Sequence, residues 1–306
     1  MHKLAMTASA LLLAATASTA GNSFNIDVLE QLGRVSAPCV SPDGKTVLFG
    51  VSYENLAENN SNNDLYLVTI GSENSPVKIT DTPKSESSAV WIAGGDKIAF
   101  IYPDADGNAQ MWTMNPDGTD RVQASEHPGG ISGFLLSPDE TRVVVIGNVK
   151  YARSAGDLYP DLPKATGRVV DDLMYKHWDE WVTEIPHPFV GKFDGQKVSE
   201  LKDIMADEPF EAPMKPFGGV ESFAWHPNSE LLVYVSRKKT GLEYAISTNS
   251  DLYIYNVTSG ETKNLTEGMM GYDTMPAFSP DGNYLAWLSM EHDGYESDRN
   301  RLFILD

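Results

Sequence analysis

Short apolar runs alternate with polar turns along the chain, and the stretch from Ala277 to Trp287 shows both parts. Its first half is the turn Ser279-Pro280-Asp281-Gly282. Proline pre-sets φ, aspartate can bond back to its own backbone, and glycine supplies a positive φ. The second half is an apolar run of the length and residue type that a strand in a packed sheet shows. The unit therefore predicts a tight turn followed by a strand.

The same unit recurs along the chain, and the repetition predicts the fold. Copies begin at intervals of 51, 45, 89 and 53 residues, at Ser41, Ile92, Ser137, His226 and Ser279. A second alternating apolar strand follows most turns, at residues 64–68, 110–114, 251–255 and 301–305. Several of these strands lead through a glycine hairpin into a polar strand. A unit of roughly 45 to 50 residues with these parts is one blade of a β-propeller. A β-sandwich would not repeat itself, so the sequence predicts an all-β propeller.

The repeats predict about four and a half blades. Blade one covers about residues 40–80, blade two about 89–125, and blade three begins at 134. An insertion at Tyr151–Pro188 interrupts blade three, blade four covers about 223–266, and blade five starts at 274. An incomplete ring leaves blade edges open to pairing. We therefore expect residues 21–306 to be the N-terminal part of a longer propeller with seven or eight blades.

The first twenty residues are predicted to be a signal peptide. Lys3 gives a positive start, Leu4–Ala17 is apolar, and small residues precede a cut before Gly21. The apolar part is too short for a membrane span. The sequence thus predicts export to the periplasm, cell surface or medium of a bacterium. After it, Asn25–Arg34 is predicted to be a short helix that Asn25 caps.

The net charge and the absence of known catalytic and metal-binding motifs exclude several classes of function. The formal net charge is −20, which argues against nucleic acid and anionic membrane surfaces as partners because both require a basic face. The sequence contains no G-x-S-x-G nucleophile motif, no phosphate-binding loop and no cysteine–histidine metal set. We therefore expect no cofactor, no metal site and no catalytic residue within these 306 residues.

The insertion carries the best candidate site. Tyr175, Trp178 and Trp181 are spaced so that a helical turn would place them along one side, and acidic residues surround them. Packing of the aromatic residues onto the blade, with solvated acids, is an equal alternative. In the functional interpretation, aromatic walls hold peptide side chains and a carboxylate pairs with a free α-amino group. The predicted substrate-binding residues are Trp178, Asp179, Glu180 and Trp181.

A weaker candidate is the basic run Arg237-Lys238-Lys239, in the loop that leads to Glu243 and Tyr244. Basic loops are most often solvated surface features, and that is the expectation for this loop.

Longer motifs resemble a known family. They cover nearly all of the chain after the predicted signal peptide. The runs that carry the resemblance are Arg34–Ser36 with Ser41–Lys45, Tyr159–Leu162, Lys164–Arg168, Asp172–Trp181, Glu211–Pro216, Ser236–Gly241, Ser247–Asp251 and Glu267–Thr274. With them the sequence resembles the N-terminal propeller of secreted bacterial peptidases of the prolyl oligopeptidase family. The Ser-Pro-Asp-Gly turns alone are common to many propellers, and the runs at Asp172 and Glu267 are specific.

The resemblance implies a serine exopeptidase that releases dipeptides from peptide N-termini. In such enzymes a propeller limits access to a C-terminal α/β-hydrolase domain, which would be the partner in cis and would carry the serine, aspartate and histidine. Residues 1–306 alone are then expected to be inactive. The alternative is a non-catalytic periplasmic propeller that binds a protein partner. The sequence leaves dipeptide preference, blade number and a homodimer open.

Overall fold

The computed structural model describes residues 24–172, 176–177 and 179–306 of the chain. The predicted signal peptide lies outside these residues. Most of the described strands form five antiparallel sheets, which we call blades 1 to 5. Blade 1 contains β1 (Arg34–Val40), β2 (Thr46–Asn55), β3 (Asn60–Thr69) and β4 (Val77–Lys78). Blade 2 contains β5 (Ser87–Ile92), β6 (Lys97–Pro103), β7 (Ala109–Met114) and β8 (Val122–Gln123).

Blade 3 is the sheet that the insertion interrupts. It contains β9 (Ile131–Leu136), β10 (Arg142–Lys150), β13 (Glu184–Phe193) and β14 (Val198–Asp203), in the spatial order β14-β13-β10-β9. The insertion itself holds the short strands β11 (Lys176–His177) and β12 (Glu180–Trp181), which pair with each other. Blade 4 contains β15 (Phe223–Trp225), β16 (Leu231–Ser236), β17 (Asp251–Asn256) and β18 (Thr262–Asn264). Blade 5 contains β19 (Asp273–Phe278), β20 (Leu285–Ser289) and β21 (Arg301–Leu305).

Helices are few among the described residues. They are α1 (Ile26–Gln31), α2 (Ala155–Leu158), α3 (Gly241–Ile246) and two single turns of 3₁₀ helix at Ala93–Gly95 and Val220–Ser222. Asn25 caps α1 as predicted, because its side chain accepts a hydrogen bond from the Val28 backbone N–H at 3.0 Å. The helix ends at Gln31, before Gly33, and buries none of its residues.

The hydrophobic core lies between neighbouring blades. One cluster joins Leu48 and Leu65 of blade 1 to Phe100 and Met114 of blade 2. Equivalent clusters lie between blades 2 and 3, between blades 3 and 4, and between blades 4 and 5. Each sheet therefore buries its faces against the sheets on either side, as propeller blades do. Four four-stranded sheets and one three-stranded sheet confirm the predicted propeller of about four and a half blades.

The Ser-Pro-Asp-Gly turns form as predicted. In the turn before β2, the Ser41 hydroxyl donates to Asp43 Oδ1 at 2.7 Å and accepts the Thr46 backbone N–H at 3.0 Å. The turns before β10 and β20 repeat the serine–aspartate bond at 2.7 and 2.6 Å. One serine hydroxyl therefore forms hydrogen bonds within the turn and to the strand that follows, which explains why this serine recurs in the repeats.

Strand β13 begins earlier than the sequence indicated. We expected the insertion to continue through Pro188, yet Pro186 and Pro188 lie within β13 and pair with β10. Their carbonyl groups accept backbone N–H groups of Ala212 and Ile204, which lie on the side away from β10. The N–H and C=O groups of one strand residue point to the same side of the strand. A proline at either position therefore lacks an N–H group only on the side away from β10, and no hydrogen bond between β13 and β10 is lost.

The connections between strands divide into two faces. Consecutive strands of a blade are antiparallel, so first-to-second and third-to-fourth connections share one end of the blades. These are short, and we call that end the short-turn face: residues 41–45, 137–141, 194–197, 226–230 and 257–261 are examples. The opposite end carries residues 151–183, 204–222, 237–250 and 290–300, and we call it the long-loop face. Functional loops of a scaffold protein are expected where such long connections gather.

Candidate functional site

The long loops of blades 3, 4 and 5 form one connected layer. Tyr244, in α3 of the loop 237–250, packs with Ile185 at the base of the insertion and is 9% exposed. Asp293, in the loop 290–300, accepts hydrogen bonds from the Ser247 hydroxyl at 2.7 Å and from the Thr248 and Asn249 backbone N–H groups at 2.8 and 3.0 Å. The loops therefore support one another across blade boundaries.

A buried carboxylate lies at the base of this layer. Glu211 is 2% exposed and accepts the Tyr244 hydroxyl at 2.6 Å and the Lys215 backbone N–H at 3.0 Å. Burial, and then the charge of Glu211, raise the pKa of Tyr244 well above its usual range, so the phenol remains a hydrogen-bond donor. No sequence motif indicates a role for Glu211, because only the fold brings it to a tyrosine 33 residues away.

The insertion encloses a cleft of about 800 Å³, which we call the insertion cleft. Its lining includes both charged and aromatic side chains. These are Lys150, Tyr151, Arg153, Arg168, Asp171, Asp172, Trp181 and Glu184. The volume lies within the range of about 300–1,000 Å³ in which proteins hold small ligands.

Two of the cations in the cleft are paired with carboxylates. Arg153 Nη2 lies 2.8 Å from Asp171 Oδ2, and Lys150 Nζ lies 2.5 Å from Asp157 Oδ1. The Tyr151 hydroxyl donates to Asp172 Oδ2 at 3.2 Å. Partial burial, together with Asp172, raises the pKa of Tyr151 to about 12. Tyr151 is therefore an uncharged donor in the cleft wall at neutral pH.

Arg168 is held differently from the other two cations. Its guanidinium carbon lies 4.7 Å from the centre of the Trp181 ring, a cation–π contact. Its backbone forms an isolated antiparallel bridge with Ser154. Ser154 caps α2 in a reciprocal capping box with Asp157. A local framework therefore fixes both the backbone and the side chain of Arg168.

The structure separates the predicted substrate-binding residues. Trp181 lines the insertion cleft and is 42% exposed. Asp179 and Glu180 are exposed and do not line that cleft, whereas Asp171, Asp172 and Glu184 do. Trp178 and Tyr175 lie outside the described residues, so their predicted positions remain predictions.

The helical interpretation of this segment is wrong for its described residues. Lys176 pairs with Trp181 and His177 with Glu180, so a β-hairpin replaces the helical turn. A short isolated helix is unstable in water, and aromatic and aspartate residues are weak helix formers. Successive side chains of a strand point to opposite faces, so the neighbouring side chains of Glu180 and Trp181 point in opposite directions.

The basic run at Arg237–Lys239 is not a solvated loop throughout, contrary to expectation. Lys238 is 18% exposed, lies 4.2 Å from the Tyr253 ring centre and forms an ion pair with Glu208 at 2.5 Å. Arg237 lies over the Tyr244 ring at 5.2 Å. Lys238 therefore connects blade 4 to the neighbouring loop 204–222, and Arg237 packs against α3 of its own loop.

Metal-binding clusters and membrane-spanning helices are two other features that could indicate a function. Residues 24–172, 176–177 and 179–306 contain no group of three or more histidine, cysteine, aspartate or glutamate side chains that could hold a metal ion. No helix in the same residues has the length and apolar character needed to cross a membrane.

Comparison with solved structures gives the class of the fold. The chain superposes on an acylaminoacyl peptidase from Pyrococcus horikoshii with a TM-score of 0.63 and 19% identity, over 90% of this chain and 38% of that one. It also superposes on a putative TolB from Agrobacterium tumefaciens with a TM-score of 0.51 and 14% identity, over 90% of this chain and 77% of that one. At these identities the likeness establishes the propeller fold alone. No family model matches the chain.

Sequence comparison is more specific. The chain is 48% identical over 298 residues to dipeptidyl-peptidase 5 of Porphyromonas gingivalis, covering 97% of this chain and 43% of that protein. It is 25% identical to dipeptidyl-peptidase 5 of Schizosaccharomyces pombe, over 93% of this chain and 41% of that protein. The chain is thus a homologue of dipeptidyl-peptidase 5 along nearly its whole length, which confirms the predicted resemblance. It spans well under half the length of these relatives.

Proposed function

We propose that this chain is the propeller portion of a secreted serine peptidase that releases dipeptides from the N-termini of peptides. The propeller would restrict access to a hydrolase domain in the same protein and hold the substrate while acyl-enzyme chemistry takes place there. The observation that carries the proposal is the 48% identity to a dipeptidyl-peptidase 5 over 97% of this chain.

The long-loop face supports a role in substrate access. Its loops contact one another across blades 3, 4 and 5 and include the insertion cleft, where carboxylates lie beside Trp181. A carboxylate near an aromatic wall suits a peptide with a free α-amino group, since charge-assisted hydrogen bonds are strong where water is partly excluded. In this proposal Glu180 and Asp179 bind the amino group, and Trp178 and Trp181 form the wall.

The first experiment tests the activity itself. The full-length protein encoded by the gene is incubated with unmodified peptides and with the same peptides acetylated at the N-terminus, and the products are identified by mass spectrometry. We expect dipeptides from the unmodified peptides alone, and loss of activity after treatment with a serine-directed fluorophosphonate. A protein that binds peptides or proteins without releasing dipeptides would support the alternative, a non-catalytic propeller.

The second experiment tests the assignment of Glu180. Glu180→Gln removes the charge while preserving side-chain size, so we expect KM for dipeptide release to rise about tenfold with kcat nearly unchanged, as for the loss of one charge-assisted hydrogen bond. Glu261→Gln is the control, because Glu261 is an exposed carboxylate on the short-turn face. An unchanged kcat/KM for Glu180→Gln would refute the assignment without touching the proposed activity.

A further inference from the structure

The insertion cleft contains one cation that carboxylates do not neutralise. Arg153 and Lys150 are paired with Asp171 and Asp157. Arg168 forms no ion pair with any residue in the described part of the chain, although the formal charge of the protein is −20. Its described side-chain contact is with the uncharged indole of Trp181. A positive charge without a carboxylate partner among the described residues therefore lies in a cleft wall that carries both acidic and basic side chains.

The guanidinium of Arg168 donates no hydrogen bond to another residue in the described part of the chain, and its contact there is the one with Trp181. Its N–H donors lie in the guanidinium plane, two of them parallel along one edge. Two parallel donors of that edge match the two oxygens of a carboxylate. Since the contact with Trp181 restricts the Arg168 side chain, less side-chain entropy is lost when it binds a ligand.

We propose that Arg168 binds the C-terminal α-carboxylate of a short peptide in the insertion cleft. The inference rests on the proposed function for its ligand class and adds a subsite for the carboxyl end of the peptide. A cleft of about 800 Å³ holds a ligand of drug size, so the carboxyl end of such a peptide fits inside it. The carboxyl end would bind Arg168, and the amino end would extend past Trp181 towards Glu180 and Asp179, the residues proposed above to bind it.

The test measures binding, because binding does not depend on turnover. The full-length protein is titrated by calorimetry with a tetrapeptide as its free acid and as its C-terminal amide, both N-methylated at the second peptide bond to prevent hydrolysis. We expect the free acid to bind about five- to tenfold more tightly, as for one charge-assisted pair at a partly exposed site. Raising salt from about 0.05 M to about 0.5 M should shrink this ratio.

The variants assign the effect to one residue. Arg168→Met retains an unbranched stem over Trp181 and removes the charge, and we expect it to abolish the difference between acid and amide. Lys45→Met removes an exposed cation, with 76% of its side chain accessible, from the short-turn face and should preserve the difference. Arg168 is exposed, so the melting temperature of Arg168→Met should stay within a few degrees of the wild type, on the order of what surface changes cause.

Three results would overturn the inference. The first is equal binding of acid and amide by the wild type, including no binding of either. The second is an equal loss for both ligands in Arg168→Met. The third is that binding of a peptide amide with a glutamate side chain depends on Arg168 as strongly as binding of the free acid does. That result would assign the site to acidic side chains. Dipeptide release from unblocked peptide amides tests the proposed function separately.

Discussion

At the scale of single residues, buried carboxylates show what the fold requires of its polar groups. Glu86 is fully buried, and both terminal nitrogens of Arg121 donate to its Oε1 at 3.0 and 2.9 Å. The Thr80 hydroxyl donates to the other oxygen at 2.9 Å. Arg121 also lies over the rings of Phe100 and Tyr102. One arginine thus neutralises a charge between blades 1 and 2 and packs with the aromatic residues beside it.

Removing Arg121 should therefore destabilise the protein strongly. Arg121→Met leaves Glu86 as an uncompensated buried charge, and we expect a loss of about 3–5 kcal/mol in the free energy of unfolding. Lys192→Met is the control, since Lys192 and Glu200 form an ion pair in which both side chains are about two-thirds exposed. That change should cost about 1 kcal/mol or less. Urea denaturation measures both, and equal losses would contradict the role assigned to Arg121.

At the scale of elements, the repeated turns depend on ionised aspartates. The Asp139 carboxylate accepts hydrogen bonds from the Ser137 hydroxyl at 2.7 Å and from the Thr141 backbone N–H at 3.0 Å. Partial burial alone would raise the pKa of Asp139, but these bonds outweigh it and lower the pKa to about 2. Hydrogen bonding, first from the serine in each case, also lowers the pKa of Asp43 and Asp281 in the equivalent turns.

The sign of the pH dependence follows from this shift. A carboxyl group whose pKa is lower in the folded than in the unfolded state stabilises the fold above its unfolded pKa of 3.8. That contribution is lost as the pH falls towards the folded value of about 2. We expect the urea midpoint to fall over this interval and Asp139→Asn to reduce the fall. Asp96→Asn, at an exposed aspartate, is the control; identical pH profiles for the wild type and Asp139→Asn would contradict the account.

The hairpin in the insertion shows where element prediction failed. Spacing of aromatic residues suggested a helical turn, whereas the structure pairs Lys176 with Trp181. The spacing of three or six residues is compatible with a helix face, but it carries no information on whether the segment can bury that face. The turns were predictable because serine, aspartate and glycine determine them locally.

At the scale of the whole molecule, the two ends of the propeller differ in character. Short turns close one face, while the long loops of blades 3 to 5 connect on the other through Glu211, Tyr244 and Asp293. Sequence repeats predict the blades within these residues, but contacts between loops of different blades depend on how the blades stack. The proposed function therefore belongs to one face of the molecule.

This asymmetry predicts how the full-length protein tolerates insertions. A short Gly-Ser segment after Gly195, in a hairpin of the short-turn face, should leave KM for dipeptide release unchanged. The same segment after Lys239 lengthens the loop that positions Tyr244 and should raise KM several-fold, about the effect of misplacing one binding loop. Circular dichroism checks that both variants fold. Equal KM values would show that the long-loop face does not take part in substrate binding.

The sequence by itself determined the repeat, the turns, most strand positions and the propeller, because these depend on local backbone preferences and on the period of apolar residues. Tertiary structure alone decided which buried polar groups meet. Glu86 and Arg121 are 35 residues apart, Glu211 and Tyr244 are 33 apart, and the stacking of blades brings both pairs together. It also decided that Trp181 lines the insertion cleft beside Arg168 while Glu180 does not. A one-residue difference in a strand reverses the direction of a side chain, and only the folded chain sets that register.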